Sequence, residues 1–524
     1  MREEQDEILD SKIKFHDRHR FEIKLDIDLA PRDINVYRVE TYFFVPRALN
    51  INPSTYTKND FYNSAQKYIR FKTPQMTPSK IADPAVKTSP LARIAAALPG
   101  LLSGSGSPGL EETVHNELKM LGCVSRASLR DHVKYQLAEI SALSPGGGGR
   151  ESGGTEDGIK MKTLEEHGLG FVRDVRNLIS RIRGLRGELA NPIVPVKIRE
   201  SFGFFDEFLS ITVEDYLTEL LAGIHRNTEA RRGLGAVEQS LADIILAQGT
   251  YRRAMGYPSL VQKNTDNEGM VYRRGVLKKF ISSILYLHIE VSEWKGLLQF
   301  LFGMAAGIAM LFAAVVMFYA QNRYATNSLP FMAIVVISYI FKDRIKDWLK
   351  LLFSRGMTRW IADRKVNIRD PRNGQIIGTV KEAFSFMADS ALPSDIFLRR
   401  NIDNITSIDE EGKPERVFKY EKEVRLYSGR ISKAHERRRD LNDIMRFSIS
   451  DFLDQADDPR ADHMYLSPET GELECVKCMR VYHINMVIKY ISGDSLGKEK
   501  LAYERIRIVL SRDGIVRLEE VPVA

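Results

Sequence analysis

Two apolar segments near the middle of the chain dominate its hydrophobic pattern. Residues 296–320 contain no charged side chain and one amide, Gln299. A helix of this length extends about 37 Å, which exceeds the ~30 Å hydrocarbon core of a bilayer. Leu329–Phe341 is a shorter apolar run of about 20 Å, and starting at Tyr324 lengthens it to about 27 Å. The pattern predicts a two-helix transmembrane hairpin with spans at 296–320 and 324–341, the alternative being a second segment that is re-entrant or interfacial.

The distribution of basic residues predicts the orientation of this hairpin. The connecting loop contains one basic residue, Arg323, whereas both flanks are rich in lysine and arginine. Basic loops are retained on the cytoplasmic side, so both flanks and both termini are expected there. The acidic N-terminus has no apolar core of a signal peptide. We therefore expect an integral protein of the cytoplasmic (inner) membrane with two spans.

Residues 342–362 are predicted to form a basic amphipathic helix at the membrane surface. Its lysines and arginines fit a bilayer with acidic headgroups, and tryptophan prefers the headgroup level. The residues expected at the membrane interface are Trp294, Lys295, Lys342, Arg344, Lys346, Trp348 and Lys350. The alternative is a soluble amphipathic helix packed on the C-terminal domain.

The N-terminal half combines a short β region with a long helical region. Phe21–Leu29 alternates apolar and polar residues, which predicts a half-buried strand, and Asn35–Pro46 is its expected partner. The predicted segments are a small β-containing N-terminal element (1–82), a low-complexity linker (83–110), a helical segment (111–143), a Gly-rich linker (144–158) and a helical cytosolic region (159–295). An apolar stripe from Val276 to Val291 predicts a helix that continues directly into the first span.

The C-terminal region 363–524 is predicted to be a β-rich cytosolic domain. Alternating runs surround Asp513-Gly514, which is a strong hairpin signal. The clearest helix is expected near 432–455. The fold class is therefore an α+β membrane protein: a helical cytosolic N-terminal region with a small β element, a transmembrane hairpin and a β-rich C-terminal domain.

Composition limits the classes of partner. The net charge of +7 arises from 76 basic and 69 acidic residues, which is not the excess expected of a nucleic-acid-binding protein. The basic helix face formed by Arg173, Arg176, Arg181, Arg183 and Arg186 is expected to be solvated or to contact lipid. Three cysteines exclude a disulfide scaffold.

Candidate chemistry is sparse. The only cysteine pair, Cys475 and Cys478, has His463 and His483 as its nearest histidines, and these four residues are the candidate zinc ligands. Their spacing matches no standard zinc motif, and two cysteines three apart on a strand point to opposite faces. The alternative is that they are ordinary strand residues. No catalytic motif or other cofactor-binding motif is found in the sequence.

Gly303 and Gly307 give the first span a small-residue spacing that allows close helix packing, either with the second span or with another subunit. Neither span contains an ionisable residue, which disfavours ion or proton transport. The first functional hypothesis is a non-catalytic membrane-anchored scaffold, sensor or assembly factor that binds a protein partner or itself. The alternatives are a homo-oligomeric channel or transporter subunit, and a metal-dependent enzyme that uses the acidic loop 451–463.

Overall fold

The computed structural model describes residues 9–30, 33–103, 108–143, 156–292, 295–325, 328–360, 362–402, 415–435, 440–493 and 499–523. The chain divides into two units. One unit combines Met1–Arg70 with Leu287–Ala524, and the other is Phe71–Tyr286. The protein is a mixture of helix and sheet with a large sheet-rich C-terminal region, as predicted.

The sheet-rich unit is built on an eight-stranded antiparallel sheet with the order β14-β13-β12-β3-β8-β7-β6-β5. Its strands are β3 (Ile34–Pro46), β5 (His288–Ser292), β6 (Arg364–Arg369), β7 (Ile376–Met387), β8 (Glu415–Tyr427), β12 (Tyr482–Gly493), β13 (Glu499–Ser511) and β14 (Gly514–Val521). The predicted hairpin at Asp513-Gly514 is confirmed, because Ser511 pairs with Gly514. Gly514 has a φ of +127°, a conformation that favours glycine.

A second, four-stranded sheet has the order β1-β2-β9-β4. Its strands are β1 (Leu9–Asp17), β2 (Arg20–Ile27), β4 (Ala65–Phe71) and β9 (Leu441–Ser448), and β10 (Arg460–Leu466) with β11 (Leu473–Met479) forms a separate two-stranded ribbon. Short helices in this unit are α1 (Lys58–Ser64), α13 (Ser394–Arg400), α14 (Ser428–Ala434) and α15 (Ser450–Leu453).

The N-terminal strands belong to the same unit as the C-terminal strands, which differs from the prediction of a separate element at 1–82. The alternation in β2 is confirmed, since its apolar residues are buried. However, β2 pairs with β1 and β9, whereas β3, its predicted partner, pairs with β12 and β8. The predicted helix near 432–455 is also wrong, because β9 lies in the middle of that range, between two short helices. Both sheets contain pairs of strands that are far apart in the sequence, and their apolar faces are buried only once these strands have paired.

Aromatic side chains from both sheets pack against one another in the core of this unit. Phe43 of β3 stacks on Phe418 of β8 at 4.6 Å between ring centroids, and Phe43 also lies 5.4 Å from Phe447 of β9. Phe61 of α1 stacks on Phe384 of β7 at 4.6 Å. Such ring pairs stabilise a core by about 0.5–1.5 kcal/mol each beyond the burial of their area.

Buried charged residues also connect the two sheets. Lys67 of β4 donates to Glu382 of β7 at 2.7 Å, and the Tyr420 hydroxyl donates to the same carboxylate at 2.6 Å. Lys422 of β8 donates to Asp443 of β9 at 2.6 Å. Because both lysine–carboxylate pairs join the two sheets, these contacts constrain how the sheets face each other.

The second unit is helical. Its elements are α2 (Pro78–Ala82), α3 (Pro90–Leu102), α4 (Pro108–Ala142), α5 (Glu156–Gly184), α6 (Arg186–Leu189), α7 (Val196–Arg226), α8 (Thr228–Gly233), α9 (Gly235–Ala254) and α10 (Glu268–Ser282). The predicted linker at 83–110 contains α3, whose N-terminus is capped by Ser89 and begins with Pro90. The apolar residues of α3 repeat at helical spacing and are buried, so this Ala- and Pro-rich range is structured. Most of the predicted Gly-rich linker lies outside the described residues.

The central helix α7 carries acidic residues inside the helical unit. Asp206 is fully buried and accepts hydrogen bonds from Arg186 (3.0 Å), Tyr251 (2.6 Å) and Tyr257 (2.8 Å). Arg183 Nε lies 3.5 Å from the other carboxylate oxygen. Two arginines of the predicted solvated face therefore serve as internal counterions for this carboxylate.

No continuous helix joins the helical unit to the first apolar segment. Helix α10 ends at Ser282, a short 3₁₀ turn follows at Ser283–Leu285, and β5 pairs with β6 before the next helix begins at Lys295. The prediction that this apolar stripe continues as one helix into the first span is therefore wrong. The last residues of the stripe are buried or belong to the edge strand β5. In a strand, successive side chains point to opposite faces, so helical spacing does not determine which of them are buried.

Candidate membrane interface

Helices α11 (Lys295–Arg323) and α12 (Leu329–Trp360) pack against each other as an antiparallel pair. Ala305, Ala309 and Ala320 are buried on α11, and Ser338 is buried on α12. Small side chains on the contact face allow two helix backbones to approach closely. The hairpin is therefore held together along a seam of small residues.

Large apolar side chains cover the outside of this hairpin. Those at least half exposed are Phe300, Met310, Leu311, Val315, Phe318, Tyr319, Leu329, Met332, Val336, Ile337, Tyr339, Ile340, Phe341, Trp348, Leu351 and Leu352. Among the described residues, one helix, Gln299–Arg323, is long and apolar enough to cross a membrane, and only 11% of its most apolar stretch is buried. An apolar surface of this extent normally contacts lipid or another protein.

The second helix, α12, contains most of the predicted span and most of the predicted surface helix. The described helix begins at Leu329, not at Tyr324, and Ser328 Oγ accepts from Phe331 N at 3.4 Å at its N-terminus. The helix then continues without a break to Trp360, so 342–362 is not a separate element. Leu329–Phe341 alone is apolar, which explains why α12 does not qualify as a spanning helix by itself.

The charged half of α12 lies beside the apolar start of α11. Lys350 Nζ lies 5.7 Å from the ring centroid of Phe302, which fixes the register of the antiparallel pair. Counting eight residues along each helix from this contact places Lys342 at about the level of Met310. Asp343 pairs with Lys346 at 3.4 Å and with Lys342 at 3.8 Å. The lysines thus have a counterion within the same helix.

The remaining predicted interface residues are placed as follows. Trp348 is 67% exposed, and Arg344 is exposed on the same charged part of α12. Lys342 Nζ lies 3.6 Å from the ring centroid of Tyr339. Trp294 and the side chain of Lys295 lie outside the described residues.

Gly303 and Gly307 do not pack on α12. Both are exposed, and a Cβ added at either position would have no neighbour within 4 Å. The alanine seam forms the intramolecular contact instead. Contact with another subunit, the other contact predicted for these glycines, stays a prediction.

The candidate zinc ligands are not brought together. Cys475 pairs with Met464 and Cys478 with Ala461 in the β10–β11 ribbon, so the two cysteines point to opposite faces. His463 pairs with Val476, and His483 lies on β12. No group of three or more metal-binding side chains occurs in the parts of the chain that the structure describes. The geometry gives the zinc hypothesis no support.

Comparison with known proteins identifies no relative: no family model, no curated protein and no solved structure matches this chain. Function must therefore be inferred from the hairpin and from the two folded units themselves.

Proposed function

We propose that this protein is a membrane-anchored scaffold or sensor that holds its sheet-rich and helical units at the cytoplasmic surface of the inner membrane. The observation that carries the proposal is the exposed apolar surface of the α11–α12 hairpin. Both ends of the hairpin are on one side because the helices are antiparallel, and all basic residues of α12 lie at or beyond Lys342, away from the connecting loop, which has Arg323 beside it. The loop Tyr324–Ser328 then faces the opposite side of the membrane.

Membrane anchoring predicts a specific effect of charge on the outer face of α11. Leu311→Arg combined with Val315→Arg introduces charges at positions that are 67% and 60% exposed. Each arginine near the centre of a bilayer costs about 2.5–3.5 kcal/mol, so the double variant is expected to leave the membrane on alkaline carbonate extraction. Tyr272→Arg, at an exposed position of α10, is the matched control and should not change the distribution. Extraction of the wild-type protein would contradict the proposal.

The two-span topology has its own test. In a variant without native cysteines, Tyr324→Cys reports on the loop and Arg372→Cys reports on the surface of the sheet-rich unit. An impermeant maleimide should label Cys at 324 only in right-side-out vesicles and Cys at 372 only in inside-out vesicles. A loop cysteine that is protected in both preparations would show that the hairpin enters the bilayer without crossing it.

Self-association is the second candidate, and the outward-facing Gly303 and Gly307 favour it. Small residues on a lipid-facing helix surface allow a second helix to pack closely. The native mass in mild detergent separates the two candidates. A monomer or dimer that carries other proteins supports the scaffold, whereas a closed homo-oligomer that dissociates on Gly303→Leu supports a channel or transporter subunit.

A further inference from the structure

A cavity of about 330 Å³ opens in the sheet-rich unit where β3 ends and β12 begins. Its walls come from four segments: the end of β3, the end of α13, the start of β8 and the first residues of β12 with their neighbour on β13. The polar side chains that line it are Arg47, Arg400, Glu415, His483, Asn485 and Arg507. This volume is at the lower end of the range for small-molecule sites.

Arg400 is the central feature of this cavity. Its side chain is 4% exposed and is held by two hydrogen bonds to Glu415, at 2.6 Å and 3.1 Å. Its third nitrogen, Nη1, is buried and has no hydrogen-bond partner among the described residues. A buried charged donor without a partner costs stability, so an acceptor brought by a bound ligand would stabilise this site.

The surroundings of Arg400 favour an anion as that acceptor. Asn485 Oδ1 accepts from the buried Arg505 at 3.2 Å, so the amide nitrogen of Asn485 remains as a donor. Arg507 contacts Glu519 at 3.3 Å and lines the cavity, and Arg47 is exposed at its rim. Among the residues that line the cavity, three arginines, Arg47, Arg400 and Arg507, stand against one carboxylate, Glu415.

We propose that this cavity binds a phosphate monoester. Guanidinium groups match the oxygen geometry of phosphate, and a dianion complements the excess of arginines over carboxylates in the cavity lining. Tyr482 contributes a wall for the organic part of the ligand, because its hydroxyl is already bonded to Asp457 at 2.9 Å. The phosphate can belong to a soluble metabolite or to a lipid headgroup. The site does not depend on insertion of the hairpin.

The test uses the full chain in a non-ionic detergent and titration calorimetry. The probes are adenosine 5′-monophosphate and dihexanoyl phosphatidic acid, with adenosine as the control that lacks phosphate. Binding of the first probe identifies a soluble ligand, and binding of only the second identifies a headgroup; either supports the proposal. Hydrogen exchange should become slower in peptides that contain Arg47 and in peptides from the start of β12.

Two variants localise the binding. Arg400→Lys retains a charge next to Glu415 but lacks the third guanidinium nitrogen, and it should weaken binding at least tenfold. Arg47→Ala removes an exposed side chain, so it keeps the fold and should weaken binding about fivefold. Arg372→Ala, in the turn between β6 and β7, should leave the affinity unchanged. The proposal is wrong if neither phosphate probe binds, or if binding survives both Arg400→Lys and Arg47→Ala.

Discussion

Replacing Asp206 with asparagine is expected to destabilise the helical unit by about 3–5 kcal/mol, the cost of removing one partner from a buried ion pair. Asparagine has nearly the same shape but no charge, so Arg183 and Arg186 would face a neutral group inside the unit. Asparagine also replaces one acceptor oxygen with a donor nitrogen. Arg186, Tyr251 and Tyr257 all donate to Oδ2, so an amide nitrogen in that position would lose these three contacts, and an amide nitrogen in the other position would face Arg183.

The measurement is the urea dependence of hydrogen exchange in peptides from α7 and α9. Asp243→Asn is the matched control, because that carboxylate is 64% exposed and lies 4.0 Å from its arginine partner. A surface pair of this kind contributes at most about 1 kcal/mol. Equal effects of the two substitutions would show that the Asp206 cluster does not stabilise the fold as its burial implies.

The stability of the sheet-rich unit is expected to rise by about 2 kcal/mol between pH 7.5 and pH 9.5 through Lys67 alone. Burial lowers the pKa of Lys67 from 10.5 to about 8, although the neighbouring Glu382 carboxylate opposes this change. Over this interval the folded protein releases a proton that the unfolded chain still holds. Because the unfolded state binds more protons, raising the pH favours folding.

Lys67→Met should abolish this rise, whereas Lys381→Met should preserve it. Lys381 is exposed and precedes Glu382 on β7, so its side chain lies on the opposite face of the same strand. Urea-dependent hydrogen exchange of β4 and β7 peptides at the two pH values is the measurement. Burial also raises the pKa of Tyr37 and Tyr420, but ionisation of unfolded tyrosine affects both variants equally. The same pH dependence in both variants would contradict the assignment to Lys67.

The local sequence pattern was sufficient to predict a strand or turn whose structure depends only on its own residues. The alternation in β2 and the turn at Gly514 were predictable because each depends on a few consecutive residues. Strand pairing was not predictable in this way. β3 lies between β8 and β12, which are nearly 400 residues or more away in the sequence, and nothing in its alternation specifies those partners.

The hairpin could be predicted from continuous sequence segments, whereas the cavity could not. The apolar segments of the hairpin are continuous, so α11 was identified from sequence, and only the start and length of α12 were missed. The cavity was not detected, because Arg47, Arg400 and Arg507 are far apart in the sequence and belong to no common motif. Their proximity arises from the order of strands in the eight-stranded sheet, which no spacing in the sequence records.

The unequal apolar lengths of the hairpin helices have a consequence for the lipid around them. The uncharged part of α11 is about 37 Å long, whereas that of α12 is about 20 Å. A bilayer whose hydrocarbon core matches the apolar length of α11 would be too thick for the apolar part of α12. It can adapt by thinning beside α12, with Lys342 and Arg344 extending toward the headgroups, at a cost of fractions of a kcal/mol per Å. Such a protein would partition into thinner membrane regions, and two copies would reduce the exposed mismatch by placing their α12 helices side by side.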